Sequence, residues 1–75
     1  MGESKVDKLI MGDRIREARK RLNLTQDQLS EKLDITFTYM SEIERGLKMP
    51  SMPLFIKLVE VLKDTPDLII GIFEE

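Results

Sequence analysis

Between residues 25 and 46 the chain reads TQDQLSEKLDITFTYMSEIERG, and no other stretch restricts the fold as much. Thr25 with Gln28 three residues on fits a capping box, in which each side chain satisfies a backbone N–H of the other. Leu29 and Leu33 follow four apart and give that helix one apolar stripe. Asp34 and Ile35 form a tight turn. Thr36 then caps another helix, and Gly46 stands where a left-handed residue would end it. The segment therefore predicts two short helices, adjacent in the chain and joined by only a few residues.

The rest of the chain fits helices around this pair. MGESKVDK, residues 1–8, is polar with little apolar pattern and reads as a flexible arm or a frayed helix start. From about Leu9 to Leu22 the residues Ile15, Ala18 and Leu22 recur at helical spacing with charges between them. KMPS is a connector. Ser51 caps a further helix that tolerates Pro53 in its first turn and turns Phe55, Leu58, Val59 and Leu62 inward. Thr65 and Pro66 open a short last helix. No stretch alternates at period two long enough for a strand. The expectation is an all-α chain of five short helices: an arm at 1–8 and one domain over 9–75.

Seventy-five residues suffice for one domain with a modest core. The chain has no Cys and no His, which excludes disulfides, thiolate metal sites, and the commonest general base and metal ligand. There is no Gly-rich phosphate loop and no carboxylate pair in an evident cleft, so an enzyme is not expected, nor a cofactor or metal. The longest apolar run, in LIIGIF (68–73), is far too short to span a bilayer, and Val6 breaks the myristoylation pattern after Met1-Gly2. With no leader pattern, a cytoplasmic protein without a membrane partner is expected. The net charge of −2 is unevenly spread: residues 1–21 hold seven basic and four acidic groups, 22–48 three and five, 49–75 two and five.

Two short helices at this spacing are those of a helix-turn-helix, whose second helix enters the DNA major groove while the first crosses the backbone. Beyond spacing, LTQDQL, YMSEIERG and PSMPLFIKL together resemble the phage-repressor and Cro-like helix-turn-helix family, the XRE family. The resemblance covers about residues 9 to 72. It implies a five-helix, lambda-repressor-like DNA-binding domain, with the helix-turn-helix at about 25–45. It also implies a transcriptional regulator that binds an inverted repeat of double-stranded DNA as a homodimer. One departure stands out: the family usually has Gly in the turn where this chain has Asp34, a residue that tolerates left-handed geometry better than most.

With about 100° between successive residues, Thr36, Met40, Ile43 and Leu47 share one side of the recognition helix, 36–45, as its core stripe. Thr38, Ser41, Glu42 and Arg45 lie on the opposite, reading side. Glu44 falls on the flank, and the resemblance implies a largely buried pair between it and Arg19. Glu42 accepts from cytosine N4, or points at solvent on the rim, or pairs with Arg45 at i+3. Phe37 either packs on thymine methyls or covers the core edge beside Met40. Thr38 is the best-placed base reader, and Ser41 suits a phosphate or water contact. The resemblance makes Thr25, Gln26, Arg45 and Lys48 phosphate contacts. Tyr39 offers a phosphate its hydroxyl or buries its ring. Arg14, Arg16, Lys20 and Arg21 add a diffuse positive field.

The reading side is close to neutral, so modest affinity per subunit and a need for a dimer are expected. Leu68, Ile69, Ile70, Ile72 and Phe73 are more large apolar groups than one short helix face buries. The dimer contact is therefore expected at Ile69, Ile70, Ile72 and Phe73. The alternative is a protein–protein module, such as an antitoxin-like partner, on the same fold. No small-molecule effector is evident.

Overall fold

The computed structural model describes residues 7–63. They form four helices, α1 (Lys8–Arg21), α2 (Gln26–Leu33), α3 (Phe37–Glu44) and α4 (Met52–Leu62), with no strand among the described residues. The fifth helix expected from Thr65 and Pro66 lies outside the described residues, as do Ile69, Ile70, Ile72 and Phe73.

Each helix opens on a side-chain cap. Asp7 accepts from the Leu9 N–H at 2.8 Å and so draws Lys8 into α1, one residue ahead of the start that periodicity indicates. Thr25 and Gln28 make the reciprocal capping box, at 3.0 and 2.9 Å. Thr36 accepts from the Tyr39 N–H and Ser51 from the Leu54 N–H. The helix ends share a device as well. Asn23, Asp34, Gly46 and Lys63, each just beyond a helix, all have positive φ, of 59°, 59°, 78° and 61°. Three of these residues are not glycine, so each carries the steric cost that glycine avoids. Asp34 thus takes the left-handed conformation that the departure from Gly requires.

The core is built by facing stripes. Ile15, Leu29, Leu33, Met40, Ile43 and Leu58 are fully buried, and Met11, Ala18, Leu54 and Leu62 complete the cluster. α1 packs against α3 and α4, and α2 packs against both as well. Leu47 corrects the helical-wheel expectation. It is 55% exposed, because α3 ends at Glu44 and the left-handed Gly46 takes the chain off the helical arc before Leu47 can return to the core side. Thr36 is exposed too, its hydroxyl spent on the cap.

At Gly12 the backbone of α1 comes against the end of α3. A Cβ there would lie 2.5 Å from the Ile43 carbonyl oxygen and 2.6 Å from that of Glu44. Only glycine permits this approach, and it fixes where the C-terminal end of α3 sits.

Candidate nucleic-acid interface

The interface starts from a buried network that orients α3. Arg19 on α1 donates through Nε to Glu44 Oε2 at 2.7 Å and through Nη2 to Oε1 at 3.0 Å, a fork matched to the carboxylate. Its Nη1 donates to the Leu24 carbonyl at 2.8 Å, which ties the α1–α2 connector to the same group. Gln26, first residue of α2, donates its side-chain amide to Glu44 Oε1 at 3.0 Å. One carboxylate thus ties α3 to the end of α1 and the start of α2. The Glu44 side chain is 1% exposed, so it spends no charge on the outer surface. Such a network specifies a geometry more reliably than it adds stability.

The outward side of α3 carries Phe37, Thr38, Ser41, Glu42 and Arg45. Thr38 is exposed, and Phe37 stays 51% exposed at the first position of the helix rather than being covered beside Met40. Ser41 is half-buried and accepts from Arg45 Nε at 3.3 Å. Tyr39 is half-buried against the core, with its hydroxyl 3.4 Å from the Met49 carbonyl. No acidic residue lies in the first turn of α3, so its positive dipole end is not neutralised there.

Glu42 corrects the i+3 alternative. Its partner is Lys48, with Nζ 3.4 Å from Oε1, while Arg45 turns to Ser41. The cause is the helix end. Gly46 N–H donates to Ile43 O and Leu47 N–H to Glu42 O, the two bonds of a Schellman motif around the left-handed glycine. The reversal returns Lys48 to Glu42. Helical spacing cannot show a pair formed across such a turn; the RG dipeptide after the helix was the available signal.

The phosphate candidates are spread around this face. Thr25 is exposed, and its cap uses the hydroxyl oxygen as acceptor, which leaves the O–H proton for an outside oxygen. Gln26 gives one of its two amide N–H groups to Glu44, and its backbone N–H is among the donors that the first turn of α2 leaves without an intrahelical partner. Lys20 is exposed on α1, and Arg16 is paired with Asp13. Among the described residues no three His, Cys, Asp or Glu side chains gather as a metal site, and no helix is long and apolar enough to cross a membrane.

The comparisons with known proteins agree with this architecture. The Helix-turn-helix family HTH_3 matches residues 15–69. The chain is 31% identical over 61 residues to the HTH-type transcriptional regulator ImmR of Bacillus subtilis, covering 81% of this chain and 48% of that protein. It is 41% identical over 44 residues to the immunity repressor protein of Bacillus phage phi105, covering 59% of this chain and 31% of the repressor. The chain thus spans half or less of the length of these two relatives. Among solved structures, the P22 c2 repressor protein in complex with a synthetic operator superposes with a TM-score of 0.77 at 30% identity, covering 81% of this chain and 92% of that one.

Proposed function

The chain belongs to the XRE-type helix-turn-helix family of DNA-binding transcriptional regulators, and from that premise we propose a sequence-specific repressor that binds an inverted-repeat operator as a homodimer. The observation that carries this reading is the presentation of α3. A network of Arg19, Gln26 and Glu44 holds the helix from behind, and its outward side carries Phe37, Thr38 and Glu42 as the base readers, with Ser41 beside them for a base, phosphate or water contact. Thr25, Gln26, Tyr39, Arg45 and Lys48 surround it as backbone contacts. Phosphate contacts set register and affinity, and the groove-facing side chains set sequence choice.

Selection from a randomised duplex pool at about physiological salt tests the reading. Enrichment of an inverted repeat with half-sites about one helical turn apart is expected. No enrichment by well-folded protein refutes it. A protein-contact reading draws on the exposure of Leu9, Leu47, Met52 and Ile56. Salt separates the two, because DNA binding weakens steeply as salt rises and an apolar protein contact does not.

A further inference from the structure

We propose that Glu42 is a discrimination residue, which suppresses sequence-indifferent DNA binding by occupying and opposing Lys48. This rests on the DNA-binding reading above and assigns one acidic side chain a role within it. An acid on the outward side of a DNA-reading helix is otherwise a liability, since every duplex presents phosphates and only some present a donor at the right base.

The geometry gives the acid two effects. Lys48 Nζ lies 3.4 Å from Glu42 Oε1, so a phosphate must compete with a carboxylate already in place. The Lys48 side chain is 59% exposed and Glu42 only 26%, so the lysine is the partner that swings out while the carboxylate stays. A phosphate that captures Lys48 then meets a fixed like charge nearby. In a water-like dielectric at side-chain distances this repulsion lowers affinity about fivefold. Arg45 is directed elsewhere on this face, its Nε donating to Ser41 at 3.3 Å, so Lys48 is the cation paired with Glu42.

The penalty is removed where the base edge supplies a donor. A carboxylate accepts from cytosine N4 in the major groove, and Lys48 is then released to the backbone. The Schellman turn at Gly46 makes this coupling possible, because it brings a residue from beyond the helix to the reading side. Glu42 therefore lowers binding to random DNA more than binding to the operator.

Fluorescence anisotropy on a random-sequence duplex and on the selected duplex tests this with wild type, Glu42→Gln, Lys48→Met and the double variant. Glu42→Gln should bind the random duplex about fivefold tighter, with a log–log salt slope steeper by about 0.9. Its ratio of selected to random affinity should fall, and the gain on random DNA should shrink to about twofold or less without Lys48. An unchanged ratio, or an equal gain with and without Lys48, overturns the role of Glu42 and leaves DNA binding standing. Failure of wild type and Glu42→Gln to bind any duplex at low salt overturns the DNA-binding reading, and this role with it.

Discussion

Replacing Gly12 with alanine should destabilise the domain, although the same change on an exposed helix face stabilises one. Alanine exceeds glycine in helix propensity by about 1 kcal/mol, so propensity alone predicts a gain. The added Cβ, however, would lie 2.5 Å from Ile43 O, 2.6 Å from Glu44 O and 2.9 Å from Glu44 C. Ordinary contact begins at 3.4 Å, and all three atoms are backbone, so no side chain can swing aside. α1 must retreat from α3 by about 1 Å. The neighbours Met11 and Ile15, both buried, lose packing as it does. Overpacking of this kind costs about 1–3 kcal/mol, and with lost core contact at the upper end the net after propensity is about 2 kcal/mol. A domain of this size holds roughly 4–11 kcal/mol in total, so the loss is readily measured. Urea unfolding followed by helical circular dichroism should show a lower midpoint at unchanged slope. A variant as stable as wild type, or more stable, would refute the close approach of α1 to α3.

Three further outcomes are expected. Arg19→Met leaves the buried Glu44 carboxylate with Gln26 alone and should cost about 3–5 kcal/mol, while Arg19→Met with Glu44→Leu should recover most of it; thermal melts in which the double variant loses the sum of the singles would contradict a coupled pair. Asp34→Gly should raise stability by about 0.5–1 kcal/mol by relieving a left-handed residue at φ 59°, and an unmoved urea midpoint would count against strain there. Thr38→Ala should weaken binding to the selected operator by about 1 kcal/mol and relax sequence choice; equal weakening on random DNA in the same anisotropy titration would remove Thr38 from base reading.

What could be read from residues alone was whatever depends on near neighbours in the chain. The caps at Thr25, Thr36 and Ser51 are satisfied within three residues, and Asp34 and Gly46 act through their own backbone angles. These signals are local, so they located the described helices to within a residue or two. The Arg19–Glu44 pair joins residues 25 apart, and only the likeness to a family pointed to it. Tertiary structure decided the rest. Gly12 carries no local signal, because its need for a missing side chain arises from a carbonyl of another helix. Leu47 left the core because one left-handed residue ended the periodicity on which its helical-wheel placement relied, and the same reversal brought Lys48 to Glu42. Periodicity predicts a face only while the helix lasts; past its end, the path of the chain through space determines which charges meet.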